Sequence, residues 1–448
     1  MTPLWTSDAI AAATGGTAHG AFTVDNVAFD SREIIGGELF IAMRGDTTNG
    51  HRFIDSALQR GAAGILCETA IDAPHVRVTD SFAALEALGR AARARTGATI
   101  IGVTGSVGKT GVKEAIRLSL LQNTPAVHAS VKSYNNHSGV PLSLARMPAD
   151  SRFGVFEMGM NHAGEIAALT RQVRPHVALI TWVAPVHIEF FDSEAGIAHA
   201  KAEIFEGLEP GGTAIIPADN PHIAILRAAA QTHAARTISF GATGDVRPLS
   251  VAMTADGTDI TADIMGETLA FRVGMAGAHW VNNALAVLAT VKAAGGDIAA
   301  AGLALADLNG LPGRGARLSV AVRGGHATLL DESYNANPAS MAASLAVLGS
   351  IAAPRRLAIL GQMGELGEGS AAYHAGLAAP IAAAKVDALA LVGPAMEALK
   401  LPNATHLATA ADALAWARET LRPGDVCLVK GSNAVGLGTL VKTLGEND

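Results

Sequence analysis

The chain has 448 residues, enough for about three domains of ordinary size. Its 33 lysines and arginines stand against 40 aspartates and glutamates, and the formal net charge of -7 argues against a general nucleic-acid binder. Hydrophobic residues make up 49% and aromatics only 4%, so the cores are expected to consist of Ala, Leu, Val and Ile, as in alternating helices and parallel strands.

The two cysteines, Cys67 and Cys427, lie in apolar runs and read as buried thiols in a reducing compartment. The first residues carry neither a basic region nor an apolar core, so no signal peptide is expected. The longest apolar stretches, 177–186 and 375–393, are too short or are broken by Lys385 and Asp387, which excludes a membrane span. These features together predict a cytoplasmic protein.

Residues 1–82 read as a small α/β domain whose turns include Asp30-Ser31-Arg32 and Asn49-Gly50-His51. Ser31 and Arg32 could offer a hydroxyl and a guanidinium to a substrate phosphate or carboxylate. A surface turn with a local ion pair accounts for them equally well. A helix pattern at 83–97 then leads into an apolar strand starting at Thr99.

The next segment, Thr104-Gly105-Ser106-Val107-Gly108-Lys109-Thr110, opens a helix with Val112, Ala115, Ile116 and Leu120 on one face. That order surrounds an anion with backbone N–H groups and a helix N-terminus. Lys109 is placed to reach the anion, and Thr110 to give its hydroxyl to Mg²⁺. The strict P-loop spacing is not met, since position 103 is Val, and the variant present is T-G-x-x-G-K-T. We read it as a nucleotide-phosphate site.

Tyr134, Asn135 and Asn136 lie in a polar loop suited to hydrogen-bonding a sugar or peptide. A strand at 152–157 ends in Glu157, a candidate for Mg²⁺ or for a helix N-terminus. A third strand, 176–183, leads to His187 at the edge where strand ends meet the ligand crevice, as a metal ligand, a phosphate contact or a structural histidine. The predicted helix 194–208 carries Lys201 among alanines, and a snorkelling surface lysine explains that equally well. One more strand, 213–217, precedes a stretch with antiparallel character. Asn282 and Asn283 then open a long helix, as caps or as readers of a purine edge.

Leu311-Pro312-Gly313-Arg314-Gly315 reads as a hinge between a central domain, 83–313, and a C-terminal domain, 314–448. Strands at 327–330, 356–360, 388–392 and 426–429 each end in a polar loop, which describes a Rossmann-like domain. No G-x-G-x-x-G follows the first of them, so a dinucleotide cofactor is not expected.

Taken together, these stretches resemble the Mur ligases of peptidoglycan synthesis over nearly the whole chain. The resemblance rests on Asp-Ser-Arg, Thr-Gly-Ser-Val-Gly-Lys-Thr, Tyr-Asn-Asn-His-Ser-Gly, Glu-Met-Gly-Met-Asn-His, Ala-Lys-Ala-Glu, Pro-Gly-Arg, Ser-Tyr-Asn-Ala-Asn-Pro, Gly-Gln-Met-Gly-Glu-Leu-Gly and Lys-Gly-Ser. It implies an α/β fold of three domains: a central P-loop-type parallel-sheet ATPase flanked by a small N-terminal domain and a C-terminal Rossmann-like domain. It also implies ATP-dependent amide ligation through an acyl phosphate, by a monomer without nucleic-acid partners.

By the same resemblance, Gly105, Ser106, Val107, Gly108, Lys109, Thr110 and Gly111 would hold the ATP phosphates. Thr110 and Glu157 would hold a first Mg²⁺ and His187 a second, supported by Lys201 carbamylated by CO₂. Asn283 would contact adenine, Arg314 the γ-phosphate, and Asp331 or Glu332 the ribose. Ser31 and Arg32 would serve the UDP end of UDP-MurNAc-tripeptide, with Tyr134, Asn135 and Asn136 also on the substrate. Asn335 and Asn337 would belong to the domain that binds D-alanyl-D-alanine. The chain departs from the family pattern at Gly111, usually Ser or Thr, at Glu332, commonly Asp, and at Gln362, often Asp. An alternative, a non-catalytic P-loop switch, would need neither Lys201 nor the C-terminal domain.

Overall fold

The computed structural model describes residues 2–45, 48–186, 188–254 and 257–446. Besides an antiparallel pair, Trp5–Thr6 with Thr23–Val24, three larger sheets follow one another along the described residues. The first runs in the order Thr17–His19, His75–Arg77, Gly64–Cys67, Glu38–Ile41, Asn26–Ala28, and only Thr17–His19 is antiparallel to its neighbour.

The central sheet runs Val127–Ala129, Phe153–Glu157, Thr99–Thr104, Val177–Ile180, Thr213–Pro217, Arg236–Phe240 and Val246–Thr254, all parallel. Gly257–Ile264 and Glu267–Val273 extend it antiparallel, as the alternation in that stretch predicts. Register aligns Glu157 with Val103 and Ile180 with Thr104, so three strands end together on one edge of the sheet. Helices Lys109–Leu121 and Ala278–Ala293 cover one face, through Val112, Ile116, Leu120, Leu285 and Leu288. The predicted helix at 194–208 is α-helical over Glu194–Ala202 and tightens to a 3₁₀ turn over Glu203–Gly207.

The third sheet contains the four predicted parallel strands, as Gly325–Glu332, Val426–Lys430, Arg356–Gly361 and Ala388–Val392. It gains two edges that sequence reading did not supply, antiparallel Ala316–Val322 and parallel Ala404–Leu407.

The two joints between domains differ in kind. Helix Ser81–Ala94 and helix Gly139–Ala145 complete one apolar cluster with the N-terminal domain, joining Leu85, Leu88, Leu142 and Ala145 to Trp5, Ile10 and Val27. Arg95 lies 3.7 Å over the Trp5 ring, and the Trp5 indole donates to the Ala145 carbonyl at 2.8 Å. By contrast, the buried apolar clusters of the central and C-terminal domains are separate. Among the described residues, no helix is long and apolar enough to cross a membrane.

Within the C-terminal domain, His374 is wholly buried. Its Nε2 accepts from the Met363 N–H at 2.9 Å and its Nδ1–H donates to the Ser370 carbonyl at 2.7 Å, fixing the tautomer and the loop after Arg356–Gly361. Burial lowers its pKa from 6.5 against the pull of the Ser370 carbonyl, so folding favours the neutral ring. The stability this gives is present above about pH 6.5 and is lost as pH falls below it. Acid titration of thermal stability should therefore show a decline beginning near that value, and His374→Gln should make it shallower, with the other buried histidines still contributing, while lowering the neutral-pH plateau.

Candidate active site

The loop Gly105–Gly108 takes its shape from its glycines and from the neighbouring strand exit. Gly105 has φ of 149°, and a methyl group there would overlap the Thr181 hydroxyl. Gly108, at φ 83°, caps helix Lys109–Leu121 and lies beside the Asn283 amide, whose oxygen would be 3.1 Å from an added Cβ. The Ser106 hydroxyl donates to the Ala184 carbonyl at 2.9 Å and Thr181 Oγ1 donates to the Val107 carbonyl at 2.6 Å. The loop backbone is thus pinned to the strand exit at Thr181–Ala184. Lys109 folds back over it, its ammonium donating to the Gly105 carbonyl at 2.7 Å.

Thr110 and Glu157 meet directly, with the hydroxyl donating to Glu157 Oε2 at 2.8 Å. Asn135 Nδ2 donates to the other carboxylate oxygen at 2.7 Å. Both donors offered to a cation here are oxygens, the hard ligands that Mg²⁺ takes, so the pair fits that ion. His187 lies outside the described residues.

Lys201 is 1% exposed, which removes the surface-lysine reading. Among the described residues it has no hydrogen bond or ion pair. Burial drives its pKa well below the ordinary value, and the Lys109 charge adds to that, against the pull of Glu203 and Glu165. Lys109 is itself lowered, first by burial and then by Arg314, while Glu157 opposes.

Arg314 lies in the hinge yet reaches the central domain. Its Nη2 donates to Ser133 Oγ at 3.1 Å, and its guanidinium stacks 3.9 Å over the Tyr334 ring. Asp331 is occupied within the hinge, accepting from the Gly313 N–H at 2.6 Å and from Ser333 Oγ at 2.6 Å. Glu332 instead lines a cleft of about 410 Å³ between the domains, opposite Met275, His279 and Trp280. The Trp280 ring edge comes 3.4 Å from where a Cβ on Gly111 would be, so a larger residue at 111 would press on the indole. Lys430, buried and lowered for that reason, donates to the Asn335 carbonyl at 3.0 Å and lies 3.5 Å from Glu332.

The remaining expected residues are dispersed. Arg32 is turned outward, with 84% of its side chain exposed, and is paired with Asp30. Ser31 is buried in the turn. Asn136 accepts from the Gly139 N–H at 2.8 Å, Asn335 Oδ1 accepts from the Ala336 N–H at 2.9 Å, and Asn337 caps helix Pro338–Ser350 with Ser340. Tyr134 donates to Glu33, a residue that sequence reasoning missed. The Glu33 carboxylate takes Tyr134 and Lys132 at 2.6 Å each and Arg146 at 3.1 Å. Burial raises its pKa, but these three donors outweigh that and hold it below the usual value. Burial and Glu33 push the Tyr134 phenol up to about 12, so it remains a donor.

Three models of the Mur ligases match the chain: "Mur ligase family, catalytic domain" at 23–96, "Mur ligase middle domain" at 103–291 and "Mur ligase, glutamate ligase domain" at 316–433. The UDP-N-acetylmuramoyl-tripeptide–D-alanyl-D-alanine ligase of Synechocystis is 35% identical over 95% of this chain and 93% of its own. The chain belongs to the Mur ligase family. Among solved Mur ligases, MurF from Acinetobacter baumannii superposes with a TM-score of 0.86 at 29% identity, covering 100% of this chain and 99% of its own. MurF from Thermotoga maritima, crystallised in complex with ADP, gives 0.77 at 27% identity, covering 94% and 97%. The three-domain Mur ligase architecture expected from the sequence is therefore present, and the chain is an ATP-dependent ligase by class.

Gly105→Ala tests the phosphate loop. Strain of roughly 1–3 kcal/mol at that φ, with the Thr181 overlap, should weaken ADP binding by one to two orders of magnitude in titration calorimetry.

Proposed function

We propose that this Mur ligase joins D-alanyl-D-alanine to UDP-N-acetylmuramoyl-tripeptide at the expense of ATP, in the cytoplasm. The observation that carries the reading is the convergence of Lys109, Arg314 and the Thr110–Glu157 pair on one glycine-lined loop. The name of the Synechocystis relative, which matches over nearly its full length, supplies the two substrates.

In this reaction the terminal carboxylate oxygen of the tripeptide attacks the γ-phosphorus and ADP departs, leaving an acyl phosphate. The dipeptide amine then adds to the acyl carbon and loses a proton. The resulting tetrahedral centre breaks its C–O bond to expel phosphate. Neither step needs a covalent enzyme intermediate; both need charge neutralisation and alignment. Lys109 and Arg314 supply cations at the phosphates, and the Gly105–Gly108 backbone supplies N–H donors. Magnesium held by Thr110 and Glu157 would offset the remaining phosphate charge. Gly111 completes the first turn beneath the phosphates. Asn283, beside Gly108, is assigned to the base, and Glu332, the acid that lines the cleft, to the ribose. Closure about 311–315 would keep water from the acyl phosphate.

Lys201 is assigned as the carbamate. A buried neutral amine is the form that adds to CO₂, with the nitrogen bonding to carbon and a proton leaving. The product is an anion in place of a neutral amine next to Lys109, which suits a second magnesium together with His187. Residues 1–82, with Ser31 and Arg32, are assigned to the UDP end. Tyr134, Asn135 and Asn136 are assigned to the substrate near the junction with the central domain. The domain carrying Asn335 and Asn337 is assigned to the dipeptide.

Phosphate release should require ATP, UDP-MurNAc-tripeptide and D-alanyl-D-alanine together, and single amino acids should not replace the dipeptide. Full turnover with single amino acids would overturn the assignment. Lys201→Ala should lose nearly all activity and regain part of it with added short carboxylates. Full activity without them would remove the carbamate.

A further inference from the structure

Lys113 is fully buried in the second turn of the helix that begins at Lys109, a position where an apolar residue would avoid the cost of desolvating an ammonium. Its Nζ donates to the Ser130 carbonyl at 2.6 Å and to the Lys132 carbonyl at 3.3 Å, and pairs with Glu114 at 2.6 Å. Glu114 also has Arg117, at 2.7 Å. What Lys113 alone provides is therefore the tie from the phosphate-binding helix to two carbonyls of the segment 130–136.

That segment makes contact in every direction. Lys132, at φ 53° in the left-handed region that ordinary residues avoid, sends its ammonium to Glu33 of the N-terminal domain. Ser133 accepts from Arg314 of the hinge. Asn135 donates to Glu157, its carbonyl accepts from the Gly159 N–H at 2.8 Å, and Ser130 Oγ accepts from the Glu157 N–H at 3.4 Å. The main chain of Glu157 is thus met by Ser130, whose carbonyl Lys113 holds, and its carboxylate by Asn135, three residues beyond the second carbonyl that Lys113 holds.

We propose that Lys113 is a positioning residue for the magnesium side of the site, holding 130–136 so that Asn135 and Ser130 orient the Glu157 carboxylate toward Thr110. The inference rests on the reading of Thr110 and Glu157 as the magnesium pair and goes beyond it by placing control of that pair in a lysine that touches neither substrate nor ion. Lys113 acts through two main-chain carbonyls, so its removal loosens Glu157 without removing a ligand.

The test uses the full chain with ADP and MgCl₂, without acyl or amine substrates, so that failure of the ligase assignment does not affect it. Lys113→Met keeps the length and apolar stem of the side chain and removes the donor. The Mg²⁺ concentration for half-maximal ADP binding should rise about tenfold, the scale of one lost buried charged hydrogen bond. ADP binding without Mg²⁺ should change little. In an Asn135→Ala background the same substitution should add little further, because both act on Glu157. An unchanged Mg²⁺ requirement in folded Lys113→Met, or effects of the two substitutions that multiply fully, would overturn the proposal. If Lys113→Met does not fold, Lys113→Gln keeps one donor and is titrated in the same way; a smaller rise in Mg²⁺ requirement supports the proposal and no rise refutes it.

Discussion

The structure is organised around an excess of positive charge in a place poor in water. Lys109, Lys201 and Arg314 come from the helix Lys109–Leu121, a second helix and a hinge; burial first, and then the Arg314 charge on Lys109 and the Lys109 charge on Lys201, lower the two lysines below ordinary values. Such an arrangement is unfavourable unless anions complete it. A triphosphate is one such anion, and conversion of the Lys201 amine to a carbamate would give another. Glu157, the acid that faces Lys109, is already committed to Thr110 and Asn135, and the pull of Glu203 and Glu165 on Lys201 does not offset its burial. The fold thus stores an electrostatic demand that its substrate is suited to meet.

Much of this was legible in the chain because it is encoded locally. Thr-Gly-x-x-Gly-Lys-Thr after an apolar strand specifies the turn, the helix start and the lysine reach within a dozen residues. The parallel strands were legible for the same reason, as continuous apolar runs. The two missed edge strands are half-exposed, and Ala404–Leu407 is only four residues with Thr and His among them, too short to show a period.

The site was less legible wherever a residue's role depends on a distant partner. Asp331 and Glu332 are adjacent acids that sequence cannot separate; only the fold shows Asp331 occupied by Gly313 and Ser333 while Glu332 lines the cleft. The helix pattern leaves Lys201 open between a snorkelling surface lysine and a site residue, and it is buried. Glu33 had no signal at all, since its three donors lie about a hundred residues away. Lys113 did carry a signal that residue type masked: it follows Lys109 by one helical turn and precedes Ile116 and Leu120 on the interior face.

The contrast between the two joints has a consequence for inhibition. The N-terminal domain shares its apolar cluster with the central one and is further bound through Glu33, so a compound wedged there must break a continuous core. The C-terminal domain adjoins the cleft without a shared core, with Arg314 bridging the hinge to Ser133. A molecule lodged in that space would act as a doorstop, and the energy needed to keep the enzyme ajar would be small compared with that needed to pull its other half apart.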